Sequence, residues 1–300
     1  MNQLSIISDL IKWIEKNLEQ PLSIDHVATK SGYSKWHLQR MFKDVTGKIL
    51  GTYIRHRRLT HAALALKLTS KPILDIAMQY QFDSQQTFTR SFKKQFKLTP
   101  ANYRRAELWD PVGLTLPIQL DREPPHLPQP LFVTIPNRVF WGVSYKSRCN
   151  LDDMFSEQLN SREKFFIDYL NKYIKNNEHI PPRLFGFFQS IASKENPEEQ
   201  EVIYTIGLDK EKDIEGINSF THQAGLYACF KYVGPIDGFW DFIIHVYLAA
   251  MPSLGVKLRR GPHIEIYYHN NNLDLKRLQK PKQIECDYCI PIVNENYRFH

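Results

Sequence analysis

The amino-acid sequence predicts a multidomain chain, all-α over residues 1–110 and α+β over 131–293, with a proline-rich linker at 111–130. Three observations lead there. A helix-turn-helix pattern occurs twice, the copies offset by 50 residues. Positive charge is concentrated in the first third: residues 1–110 hold 18 Lys+Arg against 9 Asp+Glu, and the rest hold 21 against 23. Beyond the prolines, runs of β-branched and aromatic residues alternate with two helical stretches in the order strand, helix, strand, strand, given twice.

The first element is an amphipathic helix at 4–18, with Leu4, Ile7, Leu10, Ile11, Ile14 and Leu18 on one stripe and Pro21 beyond its end. Ser23 is placed to cap a helix at 24–30, Gly32 supplies a tight turn, and Ser34 caps the next helix. That next helix carries Leu38, Met41 and Phe42 on one side and Trp36, Gln39, Arg40 and Lys43 on the other. A free face with an indole, an amide and a guanidinium suits a DNA major groove, where Gln and Arg make paired hydrogen bonds to base edges. Trp36 is either part of that face or a half-buried packing residue. Gly47 ends the helix, and a longer one is predicted from Tyr53 to about Leu68. Pro72 then opens the second copy at the first helical position, where its missing N–H costs nothing. Ser34, Leu38, Arg40, Phe42, Lys43, Tyr53 and Arg55 recur as Ser84, Phe88, Arg90, Phe92, Lys93, Tyr103 and Arg105, with Asp83 as a one-residue insertion.

The linker, with Pro124–Pro125, Pro128 and Pro130, reads as extended and stiff enough to hold two domains apart. Strands follow at 132–135 and 139–145, a helix at 152–175, and strands at 183–189 and 201–208. The order then repeats with a strand at 226–233, an aromatic-rich helix at 236–251, and strands at 263–269 and 284–292. Such a chain forms a pseudo-twofold sheet with both helices on one side and the other face concave.

A hydrophobic content of 42% over 300 residues supplies two ordinary cores. No apolar run is long enough to span a bilayer and the N-terminal residues do not form a signal sequence, so a cytoplasmic protein without membrane association is expected. Cys149, Cys229, Cys286 and Cys289 are too few and scattered for a disulfide framework, and the lone Cys286/Cys289 CxxC lacks the second pair of a zinc site. No metal or cofactor is expected. Phosphate-binding glycine loops, HExxH and GxSxG are absent from the sequence, so no catalytic residues are assigned.

The run Gly32-Tyr-Ser-Lys-Trp-His-Leu-Gln-Arg-Met-Phe-Lys43, with Ile73-Leu-Asp-Ile-Ala-Met-Gln-Tyr80 and Phe82-Asp-Ser-Gln-Gln-Thr-Phe-Thr-Arg-Ser-Phe-Lys-Lys94, resembles the AraC/XylS family over residues 1–107. The resemblance implies seven helices, with a long central one holding two recognition helices one turn of DNA apart. It implies a regulator, an activator of stress and multidrug-resistance promoters, that binds double-stranded promoter DNA as a monomer at asymmetric sites and works with RNA polymerase. Carried over by position, Trp36, Gln39 and Arg40 read bases in the first unit, and Gln85, Gln86, Thr87 and Arg90 serve the second. The second helix either enters the groove or rests on the backbone. Phosphate contacts fall to Ser34, Lys43, Arg55, Lys93 and Lys94.

Residues 131–292 resemble the gyrase-inhibitor-like effector domains through Tyr204, Gly234-Pro, Gly261-Pro-His-Ile-Glu-Ile-Tyr-Tyr268 and strand order. That resemblance implies a pocket for an amphipathic or cationic small molecule with Glu265 as its charge, beside Tyr267. Tyr145, Tyr204 and Trp240, with Trp141, Phe187 and Tyr227, are candidate walls. From the bare sequence Glu265 is equally an exposed strand residue. Two other readings of this domain stay open: a small-molecule hydrolase with Glu265 as base and Tyr267 or Tyr268 as acid, and a protein-interaction module without a small ligand.

Overall fold

The computed structural model describes residues 2–121, 123, 125–151, 153, 182–209, 218–268 and 283–293. The helix predicted at 152–175 and the tail at 294–300 lie outside the described residues, apart from Asp153.

Seven helices form the first part: α1 (Gln3–Lys16), α2 (Ile24–Ser31), α3 (Lys35–Thr46), α4 (Leu50–Leu68), α5 (Ile73–Gln79), α6 (Gln85–Phe96) and α7 (Pro100–Arg105). Side-chain caps start most of them. Ser23, Ser34, Ser84 and Thr99 each accept a backbone N–H from the first turn. Two small cores result, one around Ile7, Ile14, Leu38 and Phe42, the other around Ala62, Ile76, Phe88 and Phe92, with α4 contributing to both. At 19 residues, α4 is about 28 Å long, longer than expected because it begins at Leu50. Pro72 sits at the N-cap of α5 rather than inside it.

The two units differ at their turns. Gly32 and Gly47 take positive φ in the first, where glycine has no steric cost. Their counterparts in the second are Gln81 and Lys97, at φ 61° and 62°.

Among the described residues, the second part forms one antiparallel sheet: β1 (Leu131–Ile135), β2 (Arg138–Cys149), β3 (Arg183–Ala192), β4 (Gln200–Leu208), β5 (Asn218–His222), β6 (Gly225–Pro235), β7 (Lys257–Leu258), β8 (His263–Tyr268) and β9 (Gln283–Val293). Its order is β1-β6-β9-β8-β3-β4-β2-β5, with β7 beside β9. Strands β3 and β8 meet at the centre as the related members of two repeats. Neither β5 nor β7 was predicted, since Asn218-Ser-Phe-Thr-His is short and polar. Their presence reveals an exchange: β1, joined to β2 by a two-residue turn, pairs with β6, whereas β5, joined to β6, pairs with β2. Each repeat thus lends its leading strand to the other.

After β6 comes a short turn, then α8 (Phe239–His245), which runs on through a wide-turn segment Val246–Ala250 and Met251–Ser253. Phe239, Phe242 and Val246 pack on one face of the sheet with Tyr204, Tyr267, Tyr288 and Cys286. The opposite face carries a separate cluster of Phe140, Phe185, Phe187, Tyr227, Ile264 and Cys289. Cys229 and Cys289 are register partners joined as a disulfide, against the expectation drawn from their scatter in sequence. Cys286 and Cys289 belong to opposite faces, so the CxxC spacing brings no two sulfurs together.

The linker does not hold the domains apart. It straps along α4, where Leu114 is buried and Ile118 and Leu120 pack on the first core. Its backbone, which proline leaves without sheet partners, is satisfied by side chains: Thr115 N donates to Thr60 Oγ1 at 3.0 Å, Ile118 N to Tyr53 Oη at 3.3 Å, and Gly113 O accepts from Gln95 at 2.8 Å. The domains then touch directly. Trp109 and Leu258 exchange two backbone hydrogen bonds of 2.8 Å, and the indole donates to Tyr103 Oη at 2.5 Å while stacking on Tyr247. Lys71 reaches Glu198 at 2.9 Å.

Candidate nucleic-acid interface and effector site

The apolar side of α3 is buried through Leu38, Met41 and Phe42, so its polar side is left outward by the same periodicity. Ser34, Trp36, Gln39, Arg40 and Lys43 are all exposed. Trp36 is 69% exposed, which removes the packing alternative for it. The Arg40 guanidinium lies 5.5 Å from the centre of its ring and 3.7 Å from Asp44, one turn on. The pair therefore presents a flat, cationic edge held by weak contacts. On α6, Gln85, Gln86, Thr87, Arg90, Lys93 and Lys94 are exposed in the equivalent places, above buried Phe88, Phe92 and Phe96. Thr87 is less free than its neighbours, because its N–H and hydroxyl both meet Ser84 Oγ, at 3.2 and 3.1 Å.

Part of the basic excess serves the fold. Arg57 is 4% exposed and grips Glu15, with Nη2 2.8 Å from Oε2, while Tyr53 donates to Glu15 Oε1 at 2.6 Å. Burial alone would raise the Glu15 carboxyl, yet the Arg57 charge and these hydrogen bonds hold it below its ordinary value. Arg58 donates to the carbonyls of Leu18 and Gln20 past the end of α1, and Arg104 to those of Leu66 and Lys71 at the end of α4. These arginines close helix C-termini, where unpaired carbonyls collect. No periodicity distinguishes them from groove-facing charge.

In the second part, Glu265 on β8 is 0% exposed. Strand alternation puts it on the face that carries α8, with Tyr267 two residues on and Gly186 opposite on β3. Tyr204 and Tyr267 both donate to its Oε2, at 2.7 and 2.6 Å. Gly186 is required by that geometry. A Cβ there would lie 2.4 Å from the Tyr204 hydroxyl and 3.3 Å from Glu265 Oε2. Tyr145 and Trp240 border the same core, half-buried. A second polar pair adjoins it, since Tyr247 meets His263 Nε2 at 2.7 Å and His263 Nδ1 meets Tyr288 at 3.1 Å. Burial pushes the Tyr247 phenol well up, which keeps it a neutral donor.

The structure thus joins Glu265, Tyr204 and Tyr267 directly, with Tyr145 and Trp240 at the margin. Two suggested walls fall elsewhere. Phe187 and Tyr227 belong to the opposite face. Tyr268 likewise points away from Glu265 and donates to Asp287 at 2.6 Å, which excludes it as an acid acting with Glu265. His263 and Tyr247 were missed by sequence reading, although His263 stands at the two-residue spacing that shares a strand face with Glu265.

A helix-turn-helix domain model matches residues 27–106, and a GyrI-like small molecule binding domain model matches residues 156–293. The chain is 45% identical over 295 residues to the transcriptional regulator Rob of Salmonella typhimurium, covering 97% of this chain and 99% of that one. It is likewise 45% identical over 296 residues to the right origin-binding protein of Escherichia coli K12, with the same coverage. The regulatory protein SoxS of Escherichia coli K12 is 58% identical over 104 residues, which are 35% of this chain and 97% of SoxS.

Proposed function

Because this chain belongs to the AraC/XylS family and is a DNA-binding transcription regulator with a GyrI-like small-molecule binding domain, we propose that α3 reads bases through Trp36, Gln39 and Arg40. Helix α6 serves a second groove through Gln85, Gln86, Thr87 and Arg90. Ser34, Lys43, Lys93 and Lys94 hold phosphates and set the register. The observation that carries this reading is the outward polar face of α3 and its repeat on α6, each backed by a buried apolar side and started by a serine cap. Two readers in one chain suit a monomer on an asymmetric promoter site, acting with RNA polymerase in the cytoplasm. Among the described residues, no helix is long and apolar enough to cross a membrane.

In the effector domain, Glu265 is the charge that selects an amphipathic cation. A carboxylate wholly removed from water is costly without hydrogen bonds, and two tyrosine hydroxyls support this one. Tyr267, Tyr204, Tyr145 and Trp240 supply the aromatic surface for a cation's apolar body. The bound form is a regulatory ligand and not a substrate, in keeping with relatives named as regulators. Titration with a lipophilic quaternary cation tests this, the wild type binding at least tenfold more tightly than Glu265→Gln. Equal affinity removes the charge role, and no binding to either makes the domain a protein-interaction module. Footprinting on promoter DNA tests the other half, with protection expected over two successive major grooves on one side of the duplex.

A further inference from the structure

The effector domain rests on the second reader unit, and contacts between the two converge on one side chain. Trp109 packs both against the helical core that holds Phe88 and Phe92 and against the core under α8. Its backbone exchanges two hydrogen bonds with Leu258, so the ring is held from its own root. Toward the reader, the indole N–H donates to Tyr103 Oη at 2.5 Å. Tyr103 is 2% exposed, and its ring meets those of Phe92 and Phe96, with centroids 5.2 Å away in each case. Both phenylalanines belong to the buried side of α6, whose outer side carries Arg90 and Lys93.

Toward the effector site, the same indole stacks on Tyr247 at 6.2 Å, with the ring planes 29° apart. Tyr247 meets His263 Nε2 at 2.7 Å, and His263 precedes Glu265 by two residues on β8, about 7 Å along one face of the strand. A continuous series of contacts therefore runs from the strand of Glu265 to the inner side of α6. At its middle lies the wide-turn segment Val246–Ala250, which sets Tyr247 against His263 and Leu248 against the second helical core. Wide turns of this kind interrupt the regular helical ladder and recur at functional sites. The join also holds opposed cations. Lys67 donates to Ala106 O at 2.8 Å and lies over the Tyr103 ring, and burial followed by the Arg260 charge lowers its ammonium to about 8. The core of the first unit is met instead by the linker, through Ile118 and Leu120.

We propose that Trp109 and the Val246–Ala250 segment couple the Glu265 site to α6, so that a ligand changes how the second reader meets DNA and leaves α3 as it is. This rests on the reading of Glu265 as the charge that selects the ligand. A cation whose body lies along Trp240 loads α8, and α8 runs straight on into the wide-turn segment. Trp109 acts as a positioning residue, through Tyr103 and the phenylalanines behind α6. The first unit then gives the chain a constant hold on a promoter, and the second a hold that the effector sets. By reciprocity, DNA bound at α6 changes the ligand affinity of the effector site by the same factor.

Hydrogen exchange of the full chain tests this, with tetrabutylammonium as the cationic probe and a duplex selected for tight binding from a random pool. The duplex alone should slow amide exchange in Val246–Ala250 and β8 several-fold. Saturating cation, without DNA, should alter exchange in α6 and α7 several-fold and leave α1 to α3 within twofold. Calorimetry should give cation affinities with and without duplex that differ by about fivefold or more, the lower end of ordinary coupling. Trp109→Phe removes the indole N–H and Tyr247→Phe the phenol. Each should bind the cation within twofold of wild type yet bring that ratio to within twofold of one, which a merely structural role would not do. The wild-type exchange pattern decides the matter if a variant fails to fold. The proposal is overturned if the duplex leaves Val246–Ala250 and β8 unmoved, if the cation leaves α6 and α7 unmoved or alters α1 to α3 as much, or if Trp109→Phe keeps the full ratio. Absence of cation binding would count against the Glu265 reading instead, and the response of Val246–Ala250 to duplex would still decide the coupling.

Discussion

Arg40→Ala isolates base reading from folding, because little in the chain depends on this side chain. It is 65% exposed, it stacks on an exposed Trp36, and its ion pair with Asp44 spans 3.7 Å in solvent. An exposed i,i+4 pair contributes roughly 0.3 to 0.5 kcal/mol, so the unfolding free energy should fall by no more than about 0.5 kcal/mol. A paired contact to a base contributes about 1 to 3 kcal/mol of discrimination. At about 1.4 kcal/mol per factor of ten, the ratio of specific to nonspecific affinity should drop by about 5- to 150-fold. Fluorescence anisotropy on a promoter duplex and a scrambled duplex of equal length, at one fixed salt concentration, measures that ratio. Asp44→Asn makes a companion, since removing a carboxylate beside the guanidinium should tighten binding to both duplexes. If Arg40→Ala weakens both duplexes equally, the side chain meets phosphate only and the assignment of α3 as a base reader fails.

Other perturbations follow from the same geometry. Arg90→Ala should cost less discrimination than Arg40→Ala if α6 rests mainly on the backbone, and a larger loss would reverse the ranking of the two units. Gly186→Ala should reduce cation binding by tenfold or more in titration, because the new methyl displaces the Tyr204 hydroxyl from Glu265, and unchanged affinity would show that this hydrogen bond is dispensable. Lys97→Gly should raise stability by up to about 1 kcal/mol in denaturant melts, since Lys97 holds a left-handed conformation that glycine adopts freely. His61 is lowered from 6.5 to about 4, by burial first and then by Arg57, whose Nη2 lies 3.2 Å from its ring. The unfolded chain therefore binds more protons between those values, and stability should fall as pH drops from 6.5 toward 4, by at most about 1.4 kcal/mol per unit. His61→Gln should flatten that slope in melts at successive pH values, and an unaltered slope would assign the effect to other groups.

The helices were legible because serine caps and glycine turns announce them locally. The start of α4 was not, since Ile49 forms no side-chain cap. Its counterpart in the repeat, Thr99 before Pro100, does cap α7, so the 50-residue offset carried the missing signal. Gln81 and Lys97 hid the second unit's turns by holding backbone that glycine marks in the first. In the sheet, composition gave most strands but not their order. The Cys229–Cys289 link and the sorting of Phe187 and Tyr227 away from Glu265 both depend on strand register. Burial of Glu265 is likewise tertiary: a carboxylate between two isoleucines reads as exposed or enclosed until Gly186 and the tyrosines are in place.

The exchange of leading strands has a consequence for how the chain is made. β1 emerges from the ribosome with its partner in β6 still about 90 residues behind, as the pairing of Ile135 with Gly225 shows. At about 5 to 20 residues per second, that is a wait of roughly 5 to 18 seconds, during which Leu131, Phe132 and Val133 form an unpaired edge. The DNA-binding helices are complete by then, and their contacts are mostly local, which favours rapid folding. The nascent chain therefore passes through an interval in which it holds a folded reader of promoters beside an unfinished sheet. Truncation anywhere between β2 and β6 would prolong that state indefinitely, leaving a half-domain whose first strand has nothing of its own to pair with.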